Sequence, residues 1–434
     1  MTWLRYCFTA LALTLFATAS PALAAPRDSL DAVARDYVRL VLELGARDDG
    51  YVDAYYGPEA WKTAAQAHPR TLPQLAVTAQ TLSRRLDAIR TGPATAPDRR
   101  KRFLAAQLLA ASTRLRMLQG ERLSFRDEAI GLYGVDPQLP PLAHYDAILA
   151  RLERLVPGDG PLAQRVDAYM ERYTIPRDRL DAVMRAAIAE CRRRTLEHIP
   201  LPASEHFTLE FVTGRSWSGY NWYQGNYGSL IQVNTDQPVR MSRAIDLGCH
   251  EGYPGHHVYN MLLERNLARG RGWIEYMVYP LYSPQSFIAE GSANYGVELA
   301  FPGPERLEFE RRILYPLAGL STDGADVYNQ LNDAVRDLGL ARILIASDVL
   351  DGRIDREEAL RRLERYNLMS RSRAEQSLAF IQQYRAYVIN YGLGRDMVAA
   401  RMEWGGAAPA ERWTRMSRLL SEPVLPRDLQ PGPH

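Results

Sequence analysis

Three of the chain's eight histidines fall in the segment Cys249-His250-Glu251-Gly252-Tyr253-Pro254-Gly255-His256-His257, beside the carboxylate of Glu251. Imidazole nitrogens and carboxylate oxygens are the donors that zinc prefers, and three protein ligands leave a fourth position open for a reactive water. Glu251 directly follows His250, the place a general base holds in the helical zinc motif of metallopeptidases. Metal-dependent hydrolysis is the chemistry these residue types suggest. The competing reading is an exposed His-His pair beside a turn.

The spacing departs from His-Glu-x-x-His, because the residue four after His250 is Pro254. The second histidine donor must be His256 or His257. On a straight helix His257 returns to the face of His250, but about 10 Å further along, too far for one ion with bonds of about 2 Å. His256 on the same straight helix points away. A helix therefore cannot run undistorted through Pro254-Gly255, which removes a hydrogen-bond donor and adds conformational freedom, as a bulge or break requires.

These residues resemble a known family, the one catalogued as domain of unknown function 885, whose motifs read His-Glu-x-x-Pro-Gly-His and Glu-Gly-x-Ala. His250, Glu251, Pro254, Gly255 and His256 fill the first, and Glu290-Gly291-Ser292-Ala293, followed by Tyr295, fills the second. The resemblance covers nearly all of the chain after its leader but is specific only at the two motifs. That family is mainly helical and is similar to gluzincin metallopeptidases, in which two histidines and a distant glutamate hold zinc. The resemblance implies Zn(2+) on His250, His256 and Glu290, with His257 as a reserve ligand and Glu251 as the base. Ser292 stands where the family usually has tryptophan, which touches packing beside Glu290 or the substrate floor and removes no ligand.

A metal at such a site brings the pKa of a bound water toward neutrality, and Glu251 is placed to take its proton. Asp246, one turn before His250, is a surface or capping acid or else a hydrogen-bond partner for that imidazole. Tyr384, Arg385, Tyr387 and Tyr391 form a late phenolic and cationic group. Tyr384, Arg385 and Tyr391 are catalytic candidates, with Arg385 able to bind a terminal carboxylate as a carboxypeptidase needs. The three tyrosines also share helical spacing, as a core stripe does. Residues 230–234 could pair with an extended peptide by strand addition, and Tyr220, Trp222, Tyr223 and Tyr227 are cleft-wall or packing residues. The substrate expected is a peptide or a small acyl compound. The rivals to a peptidase are an amidase or esterase on a small metabolite, and a non-catalytic metal-binding protein.

The elements that must position these groups read as mainly α, a large helical domain with a small antiparallel β-sheet or hairpin next to the zinc-site helix. Residues 25–200 read as a helical scaffold and 201–434 as the metal-site region, together one continuous catalytic domain by pattern. Leu30, Val33, Tyr37, Val38, Val41 and Leu42 mark one apolar stripe, with Ser29 as its cap; Leu104, Leu108, Leu109, Leu115 and Leu118 mark another. Residues 162–198 read as helix divided at Pro176. Phe207, Leu209 and Phe211 alternate as a strand does, and residues 230–234 make a second strand. Helix resumes from Met241 to Gly405, and the proline-rich tail from Pro423 reads as a loose end.

The whole chain has 434 residues, 46% hydrophobic and 24% charged, a composition normal for a chain that buries a full core. Lys+Arg of 53 against Asp+Glu of 51 leaves a charge of +2 with no basic run, so nucleic acid and membrane surfaces are not indicated as partners. Arg5, the apolar run 11–17 and Ala22-Leu23-Ala24 follow the order of a secretory leader, residues 1–24, giving an exported periplasmic or secreted chain. No later window is apolar enough to anchor it in a membrane. Cys7 falls in the leader, leaving Cys191 and Cys249. A disulfide between them is not expected, since Cys249 adjoins a presumed ligand and a domain with an adequate core needs no staple. The sequence does not indicate an oligomeric state.

Overall fold

The computed structural model describes residues 28–215 and 217–430, so the leader pattern at 1–24 lies outside the described residues. The fold is mainly α. Ser29 caps the helix Leu30–Gly45 by accepting from Ala32 N–H at 3.1 Å, and the stripe Val33, Tyr37, Val38, Val41 and Leu42 is buried. In the helix Ala96–Leu118, Leu104, Leu108 and Leu115 are buried while Leu109 is 54% exposed. Leu109 lies about 100° around the helix from Leu108 and so leaves the core face. Pro176 falls between the helices Leu162–Glu171 and Leu180–Leu196, and the loop around it pairs Thr174 with Arg240 just ahead of the histidine motif. No described helix is long and apolar enough to cross a membrane.

Among the described residues, five short strands form two small sheets: β1 Val52–Tyr55, β2 His206–Val212, β3 Gly219–Gly225, β4 Gly228–Asn234 and β5 Val278–Pro280. β1 and β5 pair antiparallel, with Ala54 opposite Tyr279. The sheet just upstream of the motif is mixed: β4 lies at its centre, parallel to β2 and antiparallel to β3. The expected antiparallel hairpin is thus the β3–β4 half of a larger sheet. Its two-residue turn, Asn226-Tyr227, has φ of 53° and 62°, the double positive φ that a tight hairpin needs to match strand twist. Buried Glu264 holds the turn, accepting from Asn226 N–H at 3.1 Å and from the Tyr223 hydroxyl.

The helix Pro284–Ala300 is buried on nearly every face and forms the axis of the molecule. Ser283 caps it, accepting from Ser286 N–H at 3.3 Å, and Pro284 occupies its first turn. Gly291 lets the helix Gly392–Glu403 cross it closely: a Cβ there would stand 2.7 Å from the backbone of Gly394. The main apolar core runs from Val33 to Leu429, drawing on the segments before and after residue 200 alike, and a smaller cluster gathers Ile345, Leu360, Leu363 and Leu378.

Two expectations need correction. The tail is not loose over its described part, because Leu425 and Leu429 are buried and the turn Pro426–Leu429 is closed by Leu425 N–H donating to Asp428 at 2.9 Å. Apolar anchors outweigh proline content there; residues 431–434 lie outside the described set. Cys191 and Cys249 do form a disulfide, with Cα atoms 5.4 Å apart and a separation of 58 residues. It ties the helix Leu180–Leu196 to the turn that carries His250, where both cysteines are fully buried. Closing a loop of that size stabilises by about 4 kcal/mol in the chain-entropy model. The Cys191→Ala/Cys249→Ala variant is expected to lose about 2–4 kcal/mol of unfolding free energy in urea, and unchanged stability would show the bond to be dispensable.

Candidate metal centre

The helix Met241–Leu247 widens into a π-turn over Gly248–Gly252, stops at Tyr253-Pro254-Gly255, and restarts as the helix His256–Leu263. Such π-turns recur where a helix must redirect side chains. Gly255 closes the reversal, donating from its N–H to the Cys249 carbonyl at 3.0 Å. A Cβ on Gly255 would overlap the carbonyl oxygens of His250 and Cys249, so only glycine fits. Six residues of straight helix would separate His250 and His256 by about 9 Å. The reversal instead brings their Nε2 atoms to 3.1 Å.

Glu290, from the middle of the axial helix, completes the group. Its Oε2 lies 3.3 Å from His250 Nε2 and its Oε1 3.6 Å from His256 Nε2. Tetrahedral donors with bonds of ~2.0–2.1 Å stand roughly 3.3 Å apart; His250 Nε2 lies near that distance from both His256 Nε2 and Glu290 Oε2, while His256 is nearest to the other carboxylate oxygen, and one donor atom from each residue falls within 4.8 Å of the others. Glu290 Oε2 is buried without a hydrogen-bond partner, an orphaned acceptor of the kind that an ion satisfies. Two imidazoles and one carboxylate are also the donor types suited to zinc. The group therefore fits the metal by spacing, by donor chemistry and by the acceptor left over.

Charge in this pocket is strongly coupled. Burial acts most on His256 and opposes its protonation, but the Glu290, Glu251 and Asp53 carboxylates outweigh it and raise the imidazole to about 9. Burial likewise opposes ionisation of Glu290, yet His256 and His250 hold that carboxyl well below the usual range. Glu251 behaves oppositely: burial raises it above its ordinary value, against the pull of His250 and His256. Its carboxylate rests against β3, where a Cβ on Gly219 would come within 2.8 Å of Oε1. Asn221 of the same strand donates to the Glu251 carbonyl at 2.7 Å and so fixes the motif against the sheet.

His257 lies outside this three-donor group. It is fully buried, with Nδ1 2.8 Å from Ser229 Oγ and Nε2 3.0 Å from Glu205 Oε2. Consecutive residues on the helix His256–Leu263 diverge by about 100°, so His256 and His257 cannot face one point. Asp246 pairs with Arg306 at 2.8 Å and with Arg243, and makes no hydrogen bond with His250. Arg385 is also engaged elsewhere: its Nε donates to buried Glu128 at 2.7 Å, while Ala386 N–H donates to the other oxygen of the same carboxylate. Tyr384 ends the helix Arg371–Tyr384 and packs on Phe380, with no contact to the three donors.

Tyr391 does approach the site, through Tyr387. Tyr387 donates to Glu290 Oε1 at 2.8 Å, its ring lies 5.7 Å from that of Tyr391, and both phenols stay protonated because burial, then the Glu290 charge, raises them. Read from sequence as one member of a tyrosine stripe, Tyr387 is the one that touches a donor. A second unforeseen residue is Asp53. It accepts from Tyr220, and burial first of all raises it to about 6 while His256, Glu290 and Glu251 all act on it. β1 carries it into the pocket, and no local pattern around residue 53 announces chemistry. Of the four aromatic residues around β3, Tyr220 reaches the site, Tyr223 is buried on Glu264, Tyr227 packs under Arg269 and Trp222 is largely exposed. Ser292 is fully buried and donates to the Ala289 carbonyl at 3.1 Å, a packing role beside Glu290.

No family model matches the chain, and no curated protein matches it. Among solved structures, a candidate lipoprotein from Colwellia psychrerythraea is similar over 80% of this chain at 16% identity, with a TM-score of 0.49. The chain spans 66% of the length of that structure. A candidate lipoprotein of unknown function from Shewanella oneidensis is similar over 93% of this chain and 73% of its own length, at 11% identity and a TM-score of 0.48.

Two measurements test these placements. Glu290→Ala and His256→Ala are each expected to lower bound zinc per chain by elemental analysis, whereas His257→Ala keeps the wild-type content but loses about 1–3 kcal/mol of stability through the lost hydrogen bonds to Ser229 and to Glu205, a carboxylate that Tyr253 and Arg192 still hold. Equal metal loss in His257→Ala would return that residue to the ligand set. Burial opposes ionisation of Glu205, but His257, Tyr253 and Arg192 hold its carboxyl down at about 2, against an ordinary 4.5. A depressed carboxylate stabilises fully above the unfolded value and loses that contribution as pH falls toward the folded one. Stability should therefore drop between pH 4.5 and 2, and Glu205→Gln should flatten that slope in denaturant titrations.

Proposed function

We propose that the chain is an exported zinc-dependent hydrolase, most simply a metallopeptidase, with His250, His256 and Glu290 as the metal ligands. The observation that carries this reading is the close approach of His250, His256 and Glu290, at 3.1, 3.3 and 3.6 Å, with Glu290 Oε2 left buried without a hydrogen-bond partner. A zinc ion held by such donors supplies Lewis acidity, acidifying water and polarising an acyl oxygen.

The chain's own residues then divide the work. Glu251, kept above its usual pKa by burial, is suited to accept a proton from the attacking water and return it to the leaving amine. Tyr387 orients Glu290 by its hydrogen bond at 2.8 Å. Tyr391, half-buried and protonated, presents a phenolic donor for the oxyanion that develops during acyl transfer. Asp53 and Tyr220 form the wall contributed by β1 and β3.

Strand addition by a peptide also needs revision. β4 is paired on both sides, so residues 230–234 have no free backbone edge. β3 is an edge strand, and its Gly219 lies beside Glu251. Asn234 N–H donates to the Ser218 carbonyl at 3.0 Å, and alternation along an antiparallel pair turns the backbone groups of Gly219 and Asn221 outward. An extended peptide paired there lies across the base. Export is supported by the leader pattern and by the Cys191–Cys249 bond, since such bonds persist in oxidising compartments.

The test is Glu251→Gln in the zinc-loaded protein, with a mixed peptide library digested and read by mass spectrometry. Metal content should stay at the wild-type level while turnover falls by at least about 100-fold. Unchanged turnover removes Glu251 as base, and a wild-type protein that cleaves no peptide defeats the peptidase reading in favour of a small-molecule substrate or simple metal binding.

A further inference from the structure

Several wholly or partly buried arginines of the described residues are each matched by a carboxylate. Arg100 meets Glu275, Arg114 meets Asp48, Arg306 meets Asp246 and Glu310, and Arg385 meets Glu128. Arg342 has no acidic partner among the described residues, and its Nε is buried without a hydrogen bond. Its guanidinium lies 5.2 Å from the ring centre of Phe380, and a phenylalanine face is a weak substitute for a carboxylate. Burial pulls its pKa down, with only the tyrosinate form of Tyr391 opposing. A guanidinium half withdrawn from water without a counter-charge is costly to hold, and its fork matches a carboxylate in two parallel hydrogen bonds.

Its place in the fold gives that vacancy of charge a direction. Arg342 sits in the first turn of the helix Gly339–Leu350, and neighbouring Leu340 and Ile343 pack on Gly392, next to Tyr391. Phe380, under the guanidinium, lies 6.3 Å from Tyr391, Tyr391 lies 5.7 Å from Tyr387, and Tyr387 donates to Glu290. The cation and the donor cluster therefore flank one tyrosine pair.

We propose that Arg342 receives the free α-carboxylate of the substrate, a peptide or acyl-amino acid whose scissile bond lies at the His250, His256 and Glu290 centre with Tyr391 between the two. This rests on the hydrolase reading and narrows it to removal of residues from the carboxyl end. It also moves the role foreseen for Arg385 to a residue without sequence signature.

Binding tests the proposal apart from catalysis. N-acetyl-L-phenylalanine and its primary amide are titrated by calorimetry into Glu251→Gln protein, with Arg342 intact or changed to Gln or Lys, each variant checked for an unchanged melting temperature. The acid is expected to bind at least tenfold more tightly than the amide, Arg342→Gln to abolish that preference and Arg342→Lys to keep part of it. Equal binding of acid and amide to the intact Arg342 protein overturns the proposal without any substitution at that position. A preference that survives Arg342→Gln overturns it too, placing the carboxylate elsewhere. With active enzyme, free-acid peptides are trimmed from the carboxyl end and amidated ones spared, and Arg342→Gln raises KM for the free acid at least tenfold with kcat changed less than threefold. If no peptide is cleaved, the peptidase reading fails while the binding comparison still judges Arg342.

Discussion

The reversal at Gly255 is the constraint on which the site depends. The carbonyls of Cys249 and His250 fill the space that any side chain at that position needs, and the amide of Gly255 is spent on the Cys249 carbonyl. Because the chain folds back so tightly, His256 faces His250 instead of lying most of two helical turns beyond it. His257, one residue further, is turned into the scaffold and bonded to Glu205 and Ser229. A single backbone event thus selects one of two neighbouring histidines for the pocket and commits the other to packing.

The surroundings hold that reversal from several sides. The Cys191–Cys249 bond joins it to the helix Leu180–Leu196, Asn221 holds the Glu251 carbonyl from β3, and Glu290 arrives on a helix buried on almost all faces. Charge explains why so much support is needed. The carboxylates of Glu251, Glu290 and Asp53 act on one another and on His256 in a region poor in water, and each departs from its usual ionisation. Like charges at close range tend to separate unless rigid elements hold them. Here the elements are a π-turn, an axial helix and a two-stranded sheet.

Much of this was legible in the chain. Ser29 and its apolar stripe announced the first helix, Pro176 the division of residues 162–198, and Pro254-Gly255 a break in the motif helix. These succeed because capping, proline sterics and helical periodicity act within a few residues. Leu109 failed because a stripe of leucines does not say where its face ends, and the tail failed because burial of Leu425 and Leu429 overrides proline content. The parallel pairing of β2 with β4 and the pairing of β1 with β5 join segments far apart in sequence, which local pattern does not record. Arg385 looked available for an anion because its partner, Glu128, lies on a distant helix.

By itself the sequence determined the helical character, the residue types able to hold a metal, and the need for a distortion between His250 and its second partner. Those follow from side-chain chemistry and from sterics that operate within a turn or two. Tertiary structure alone decided that His256 faces His250 and Glu290, that Asp53 and Tyr387 join them, and that Arg342 stays without a counter-charge among the described residues. Each of these depends on where remote elements pack, and packing is a property of the whole buried surface, not of any segment read in isolation.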